Sequence, residues 1–300
     1  MTGGDMTGGE MTGDELYRVD GGFATLGPDL VGVLDALEAR LLSWADACGA
    51  RRMLFAPLLP VEDLETLDYF DNFPHLVLLV APLEADSLMA GGGPAVREGA
   101  VPAAKLAAGR YALPSAACYS AYLHLRDSSL PSARYVTTVA SCFRRESSYE
   151  GLRRLQGFRM REIVCIGSRE AVQAHLSAFK PRILDLAVRL GLRLEVQPAV
   201  DPFFQPQQGR ALMQQLFPVK EEFVHDGSLA VASVNFHRTF FGERCRIRLD
   251  AGGWASTGCV AFGLERWLAA LLDAHRGDPG AVRAALAGVG DDLAGSRESR

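Results

Sequence analysis

The segment SCFRRESSYEGLRRLQGFRMREIV, residues 141–164, decides how this chain folds. It places six arginines and three glutamates between apolar ends. Apolar and charged residues alternate within it, a pattern typical of strands that bury one face and present charge on the other. We therefore predict two strands joined by a turn over residues 147–154, with residues 158–167 as the returning strand.

The charge in this segment contrasts with the composition of the whole chain. The 300 residues carry a formal net charge of -5, and the sequence pI is near 5.7. A broad nucleic-acid-binding surface needs clustered Lys and Arg without compensating acids. The composition therefore argues against DNA or RNA as a general partner, and the length predicts one or two globular domains.

The cysteines follow no short CxxC spacing, and the sequence shows neither a signal peptide nor an apolar stretch long enough to span a membrane. These features predict a cytoplasmic protein without membrane attachment. In that reducing setting the cysteines are expected to be core residues or metal ligands rather than disulfides. The six cysteines are Cys48, Cys118, Cys142, Cys165, Cys245 and Cys259.

The two ends of the chain differ in composition from the rest. Residues 1–15 repeat the unit Met-Thr-Gly and contain few apolar residues, so we predict a disordered tail. Residues 289–300 are mostly polar, and we expect them to fray. One folded domain is therefore predicted over residues 16–288.

Helices and strands follow from the apolar periodicity. Between residues 30 and 45 apolar residues recur at helical spacing, with Asp29 placed to cap the helix, and a second helix is predicted between Ser168 and Gly191. Further strands are predicted over residues 51–60, 75–84, 117–126, 134–146, 192–200, 229–242, 244–250 and 258–263. The last strand becomes a helix near Gly263. Because no regular βαβ alternation is present, we predict an α+β fold with a mainly antiparallel sheet flanked by helices.

Three short motifs then carry a resemblance to a known family. CFRRE, GFRMRE and GLERW occur in this order, and together they resemble the second and third signature motifs of class II aminoacyl-tRNA synthetases. Matching segments run from about residue 16 to 275, and the seryl type is the most similar. The resemblance implies the class II synthetase catalytic fold.

A set of three residues narrows the resemblance. Cys118, Glu162 and Cys259 lie in predicted strands that this fold would bring to one pocket floor. The set is similar to the zinc site of atypical seryl enzymes and of their truncated relatives, the amino acid:[carrier protein] ligases. The chain also resembles those relatives in lacking a long heptad-patterned helical pair for tRNA.

The resemblance implies a nucleotide site for ATP as co-substrate. Arg144 would grip the α-phosphate, and Glu146, two residues on and on the same strand face, would accept from the adenine amino group. Phe158 and Arg266 would cover the two faces of the adenine ring. The acids of the hairpin would hold its arginines in place. Further nucleotide contacts are implied for Arg154, Leu155, Lys220, Ala230, Val231, Ala232 and Ser233.

The resemblance also implies a Zn²⁺ site with an open fourth position, held by Cys118, Glu162 and Cys259. The substrate's α-amine would take that position, which favours small amino acids such as glycine or alanine. Glu162 and Asn235 are implied to bind the substrate, and His237 to face the same pocket. Seryl enzymes carry a glutamate for catalytic Mg²⁺ at about the position where this chain has Ala230. The resemblance therefore does not assign the Mg²⁺ ligands of this chain.

The implied partners follow from the same family. The activated amino acid would pass to the phosphopantetheine thiol of a carrier protein, without tRNA. Residues 51–74 and the preceding helix resemble the first class II motif, which implies a homodimer with an apolar strand at the two-fold axis. Two alternatives remain open: a stand-alone seryl-type tRNA synthetase, and a synthetase-like regulatory subunit that has lost the chemistry.

Simpler interpretations exist for several of these residues. The simpler interpretation of Cys118 and Cys259 is that they are small hydrophobic residues of the core, because most free cysteines of cytosolic proteins are buried there. The remaining arginines of the opening segment could form a solvated face or bind the carrier protein. These are Arg145, Arg153, Arg159 and Arg161.

Overall fold

A computed structural model describes residues 16–85, 99–204 and 219–289. The tail predicted over residues 1–15 lies outside these ranges, and so does the tail predicted over residues 289–300 except for its first residue. Val289, which we expected to begin the frayed tail, is buried in the core, and Arg40 on the first helix donates a hydrogen bond to its carbonyl oxygen.

The described strands are β1 (Tyr17–Asp20), β2 (Phe23–Leu26), β3 (Arg51–Arg52), β4 (Leu59–Pro60), β5 (Leu79–Val80), β6 (Tyr111–Ala112), β7 (Ser129–Leu130), β8 (Arg134–Phe143), β9 (Gly157–Gly167), β10 (Leu194–Ala199), β11 (Lys220–His225), β12 (Leu229–Arg238), β13 (Arg248–Leu249) and β14 (Ser256–Gly263). The described α-helices are α1 (Pro28–Ala47), α2 (Val61–Thr66), α3 (Tyr69–Asn72), α4 (Tyr119–His124), α5 (Arg169–Arg189), α6 (Phe240–Arg244), α7 (Leu264–Ala274) and α8 (Pro279–Gly288).

A mainly antiparallel sheet forms the centre of the fold. Its strands run in the order β1-β2-β9-β14-β12-β11-β10, and β8 pairs with β9 and carries β3 beside it. Only the β2–β9 and β3–β8 pairs are parallel among the strands of this sheet in the described ranges. The predicted α+β class with an antiparallel sheet is therefore confirmed.

The charged segment forms β9 and the end of β8, as predicted. Because side chains alternate along a strand, Phe158, Met160 and Glu162 share one face of β9 and Arg159 and Arg161 the other. The first face lines the cavities described below. The second carries ion pairs to helices, since Arg159 binds Glu265 of α7 and Arg161 binds a glutamate of α1.

Helix α1 covers the second face of the sheet with the apolar stripe that the sequence predicts. The buried side chains of α1 are Leu30, Val33, Leu34, Leu37, Leu41, Trp44 and Ala45. The predicted cap is wrong: Gly27 is the N-cap, Pro28 is the first helical residue, and Asp29 lies in the first turn. Pro28 has no N–H to leave unsatisfied, and the Asp29 carboxylate favours the positive end of the helix dipole.

Three other predicted helix boundaries are confirmed. The Ser168 hydroxyl accepts a hydrogen bond from the backbone N–H of Ala171 at 3.2 Å and caps α5. After α5 the chain reverses at Gly191, whose φ of 78° suits glycine. Strand β14 passes directly into α7 at Gly263.

Several predicted strands are wrong or shorter. Residues 117–126 contain helix α4 rather than a strand, with Ala121 and Tyr122 buried on it. A short apolar run fits either element, and here packing against the sheet decides. The predicted strands over residues 51–60 and 75–84 are reduced to two-residue pieces, partly because proline cannot donate to a ladder. The β1–β2 hairpin and α8 were not predicted.

None of the helices in the described ranges is long and apolar enough to cross a membrane. All six cysteines are free of disulfide bonds, and only Cys48 is partly exposed.

Candidate active site

Two adjoining cavities lie over the face of the sheet that carries Phe158, Met160 and Glu162. The nucleotide-side cavity lies between the β9 hairpin, β12 and the start of α7. The metal-side cavity has a volume of about 460 Å³ and extends towards α3, α4 and α6. Five residues line both cavities and so mark where they meet: Arg144, Met160, Lys220, Ser233 and Ala261.

The nucleotide-side cavity collects nearly all the residues that the sequence assigned to ATP. They are Arg144, Glu146, Leu155, Phe158, Lys220, Ala230, Val231, Ala232, Ser233 and Arg266. Arg154 is the exception: its side chain is exposed and outside the lining, and its backbone pairs with that of Glu150. The neighbouring Arg153 lines the cavity instead.

Arg144 is held firmly where the two cavities meet. Its Nε donates to the carbonyl oxygen of Ser115 at 3.1 Å, and its guanidinium carbon lies 5.1 Å from the centre of the Phe158 ring. We had predicted that Arg144 and Glu146 share a strand face. This is wrong, because strand β8 ends at Phe143 and both residues follow it. Both side chains nevertheless reach the cavity.

Arg266 is fixed by backbone oxygens rather than by acids. Its Nε donates to the carbonyl oxygen of Arg153 and its Nη1 to that of Ala230, each at 3.1 Å. Burial, the main cause, lowers the pKa of Arg266. Its guanidinium plane is thereby held against the cavity wall at the start of α7.

The acids that hold the arginines come mostly from other elements, which corrects the prediction that they lie on the hairpin. Glu265 accepts from the backbone N–H of Arg159 at 2.8 Å and from its Nε at 2.9 Å. Arg161 is 5% exposed and pairs with Glu38, so it is neither a solvated face nor a docking residue. Within the hairpin, only Glu150 pairs with Arg153 among the described ion pairs.

Lys220 stands at the boundary between the cavities with two acidic partners. Its Nζ lies 3.2 Å from Asp201 and 2.9 Å from Glu222. Burial alone would lower the pKa of Lys220, but the two carboxylates outweigh burial and raise it. Lys220 therefore stays protonated with its charge already compensated.

The predicted metal ligands converge. The ligand atoms of Cys118, Glu162 and Cys259 lie within 4.8 Å of one another, and all three residues are buried. The positions of Glu162 on β9 and Cys259 on β14 agree with the prediction, whereas Cys118 lies at the N-cap of α4 and not on a strand. Tetrahedral Zn²⁺ bond lengths place ligand atoms roughly 3.5–4 Å apart, so small side-chain adjustments would close the site.

Glu162 shows which of its oxygens is free to bind a cation. Its Oε1 accepts from the backbone N–H of Ala117 at 2.9 Å, which fixes the carboxylate. Its Oε2 is buried and has no hydrogen-bond partner among the described residues. A buried carboxylate oxygen without a partner is costly, and a metal ion would remove that cost.

The protonation of the thiols also fits a cation site. The hydrogen bond with Cys118, together with burial and the Glu162 charge, raises the pKa of Cys259 well above its ordinary value. The hydrogen bond with Cys259 by itself lowers the pKa of Cys118. Burial and the charge of Glu162 have the larger combined effect, so the pKa of Cys118 is raised. Three potential anions this close repel one another, and a divalent cation is the natural partner for them.

Asn235 and His237 extend from β12 along the metal-side cavity, as predicted. The Asn235 side-chain nitrogen lies 3.4 Å from the sulfur of Cys259. His237 Nδ1 lies 3.3 Å from the Tyr122 hydroxyl and 3.4 Å from the Thr257 hydroxyl. Burial, chiefly, lowers the pKa of His237 to about 4, so its imidazole is neutral near pH 7.

The sequence did not point to several residues of the two cavities. Glu222 lies two positions after Lys220 on β11 and lines the nucleotide-side cavity. Because side chains two positions apart share a strand face, the placement of Lys220 in the nucleotide site could have pointed to Glu222 as well. Asp201 follows β10 and had no sequence signal. The metal-side cavity also has an aromatic wall, formed by Tyr69, Phe73, Tyr119, Phe203, Phe240 and Phe241.

Comparison with known proteins places the chain in a family. Amino acid–[acyl-carrier-protein] ligase 1 of Bradyrhizobium diazoefficiens is 32% identical over 265 residues, which cover 82% of this chain and 78% of the relative. Ligase 2 of the same organism is 35% identical over 235 residues, or 75% of this chain and 70% of the relative. The chain belongs to the amino acid–[acyl-carrier-protein] ligase family. It is therefore an ATP-dependent ligase.

A solved structure confirms the fold of this ligase. The seryl-tRNA synthetase of Methanopyrus kandleri, in complex with a tRNA of A. aeolicus, superposes with a TM-score of 0.74 at 22% identity. The match covers 89% of this chain and 57% of the synthetase, so the chain spans a little over half of that protein. The predicted class II synthetase fold is confirmed. No protein-family model matches the chain.

Proposed function

We propose that this ligase activates a small amino acid, glycine or alanine, as its adenylate and transfers it to the phosphopantetheine thiol of a carrier protein. The observation that carries the proposal is the meeting of the two cavities at Arg144, with the Cys118, Glu162 and Cys259 cluster in one and Phe158 with Arg266 in the other. Membership of the family supports the same reaction and the same acceptor.

In the first step a carboxylate oxygen of the amino acid attacks the α-phosphorus of ATP, and pyrophosphate leaves. No protein nucleophile is needed, because the step depends on alignment and on charge stabilisation. The Nε of Arg144 is bound to Ser115 and its Nη2 lies 3.9 Å from the Met160 sulfur, so most of its four Nη N–H groups are left for this task. We assign it to the α-phosphate and the attacking carboxylate, which meet at the boundary of the cavities.

The nucleotide would lie between Phe158 and Arg266, with Glu146 at the adenine amino group. Arg266 is already held by two backbone carbonyls and so needs no reorganisation on binding. Mg²⁺ would neutralise the phosphates. Glu222 and Ser233 are its proposed ligands, because they face each other in the β11–β12 register and both line the cavity. Lys220 pairs with one oxygen of Glu222, whereas Arg159 occupies both oxygens of Glu265.

The metal-side cavity would hold the amino acid and then the thiol. Zn²⁺ bound by Cys118, Glu162 and Cys259 would supply an open position for the neutral α-amine. In the second step the thiol sulfur attacks the adenylate carbonyl, AMP leaves, and the thiol proton is released. A volume of about 460 Å³ is within the range that holds drug-sized ligands, so the cavity has room for a second substrate beside a small amino acid.

Pyrophosphate exchange tests the first step. The zinc-loaded full chain is assayed with each of the twenty amino acids, and exchange is expected with glycine or alanine. Exchange with none of them would leave the inactive regulatory subunit as the better explanation. Exchange with a large amino acid would overturn the substrate assignment alone.

The acceptor is tested next with the labelled amino acid. Label is expected on holo carrier protein, and not on the apo carrier that lacks phosphopantetheine. Total tRNA serves as the competing acceptor, and label on tRNA would make the chain a stand-alone synthetase.

The chain should also be a homodimer formed through the segment around residues 51–74.

The metal assignment has its own test. Cys259→Ser should lower the zinc content and the binding of the amino acid together, because a ligand and the α-amine position are lost at once. Cys165→Ser, a buried cysteine outside the cluster, is the control. Unchanged zinc in the Cys259 variant, measured by elemental analysis, would count against the site.

A further inference from the structure

Asn235 makes a contact with the metal cluster that its proposed place in the substrate pocket does not explain. It lies directly opposite Cys259 in the register of β12 and β14. Its Nδ2 lies 3.4 Å from the sulfur of Cys259, 3.4 Å from the carbonyl oxygen of the same residue, and 3.0 Å from the Ser233 hydroxyl. A side-chain amide is thus aimed at a ligand atom.

The orientation of this amide follows from its neighbours. The Cys259 carbonyl oxygen can only accept, and so can its sulfur once it is a thiolate bound to a metal. If the amide were flipped, its oxygen would face two acceptors within about the same distance and would be repelled by both. The nitrogen therefore faces the sulfur and donates to it.

We propose that Asn235 is a positioning residue of the metal site, whose N–H···S bond to Cys259 orients this thiolate and raises the Lewis acidity of the bound Zn²⁺. The inference rests on the proposed function for the presence of the metal. Two thiolates and a carboxylate give the Zn²⁺ site a net charge of -1, which weakens its hold on a neutral amine. A donor to one thiolate withdraws part of that charge.

A second consequence concerns the α-amine of the substrate. An amine must lose its proton before it can bind Zn²⁺, and a stronger Lewis acid allows this at lower pH. Loss of the N–H···S bond should therefore shift the pH at which the amino acid begins to bind upwards. The KM for ATP should change less, because Asn235 does not line the nucleotide-side cavity.

The test uses two substitutions and a matched control in the full chain. Asn235→Ala removes the donor, and Asn235→Leu removes it while keeping the volume. Asn72→Ala is the control, since Asn72 also lines the metal-side cavity but donates to the carbonyl oxygen of Asp68 at 2.6 Å. Far-ultraviolet circular dichroism and thermal melting verify that each variant is folded.

Two measurements need no catalysis. Zinc affinity, measured by competition with a chromophoric chelator, should fall about 10- to 100-fold in both Asn235 variants and not in the control. In the cobalt-substituted protein the thiolate-to-cobalt charge-transfer band should move to longer wavelength in both variants, because a hydrogen bond lowers the energy of the sulfur electrons. A purely structural role would leave that band in place.

The outcomes separate this inference from the proposed function. If the unsubstituted chain binds neither zinc nor cobalt with a thiolate band, the metal site itself is wrong. If it binds both, and the folded Asn235 variants keep the same affinity and the same band, then the metal site stands and the role of Asn235 is refuted. A shift in both variants but not in Asn72→Ala supports the inference.

Discussion

At the scale of single residues, the site depends on side chains that are held before any ligand arrives. Glu162 uses one oxygen for a backbone N–H and leaves the other free. Arg144 and Arg266 are held by backbone carbonyl oxygens rather than by carboxylates, so their positive charge is not neutralised by an acidic partner in these contacts. Groups fixed in this way lose little further entropy when they bind a substrate.

Arg144 gives the sharpest prediction at this scale. Arg144→Ala should abolish pyrophosphate exchange and leave the fold intact, and Arg144→Lys should reduce exchange by about 10²–10³-fold, because an ammonium cannot replace the planar fork. Arg145→Ala is the matched control, since Arg145 is exposed and lines neither cavity. Retained exchange in Arg144→Ala would refute the assignment.

Two histidines whose pKa values are lowered in the folded chain predict how stability depends on pH. Burial lowers the pKa of His175, and lowers that of His237 to about 4, both from an ordinary value near 6.5. Below pH 6.5 the unfolded chain binds protons that these histidines do not bind in the folded state, so stability is full above pH 6.5 and is lost as the pH falls towards 4.

The free energy of unfolding should therefore decrease between pH 7 and pH 5.5, by at most about 1.4 kcal/mol per pH unit for each histidine. His175→Phe keeps an aromatic ring beside Tyr135 and Phe179 but removes the titrating group and its hydrogen bond to the Ile163 carbonyl oxygen. It should remove the contribution of His175 to the slope of the free energy of unfolding against pH. His124→Gln, on the surface, should leave it unchanged. An identical slope in His175→Phe, from urea unfolding at each pH, would contradict this explanation.

At the scale of elements, the β9 strand connects the two sides of the sheet. One face of β9 carries Glu162 and the cavity floor, and the other is joined to α1 and α7 by ion pairs. The cavity floor is therefore braced from behind by α1 and α7. This arrangement explains why so much paired charge is concentrated in residues 141–164.

The pair of Arg161 and Glu38 tests this bracing. Glu38→Ala should destabilise the protein by about 3–5 kcal/mol, because Arg161 is left buried and unpaired. Replacing both residues, as Glu38→Leu with Arg161→Met, should recover most of the loss. Asp46→Ala on the same helix removes the exposed pair with Arg52 and should cost far less, because solvent screens an exposed ion pair. Denaturant unfolding measures all three, and equal losses for Glu38 and Asp46 would overturn the argument.

At the scale of the whole molecule, one surface stands out as apolar. Leu54 is 87% exposed, and Leu79 and Tyr111 are exposed on the small sheet formed by β4, β6 and β5. The exposed side chains of Leu79 and Tyr111 on two paired strands of this small sheet indicate a partner surface. Strand β4 of this sheet lies within residues 51–74, the segment expected at the two-fold axis of a dimer, which supports a second copy as the proposed occupant.

Oligomeric state therefore has a clear expectation. The unsubstituted chain should be a dimer by light scattering after gel filtration, and Leu79→Glu combined with Tyr111→Glu should give monomers. Val188→Glu is the control, because Val188 is 71% exposed on α5, away from this sheet. A dimer that survives the double substitution would move the interface elsewhere.

The sequence by itself determined what local rules and specific motifs encode. The apolar stripe of α1, the Ser168 cap and the passage of β14 into α7 follow from spacing and capping, which act over a few residues. The motif resemblance in turn predicted the fold and the convergence of Cys118, Glu162 and Cys259.

Only the tertiary structure decided the rest. It made residues 119–124 a helix, gave Arg161 a distant acidic partner in Glu38, and brought Asn235 to the sulfur of Cys259. Each of these depends on which strand lies beside which, and on what the opposite face of the sheet packs against. Such contacts join residues far apart in the chain, so no local pattern of spacing or composition contains them.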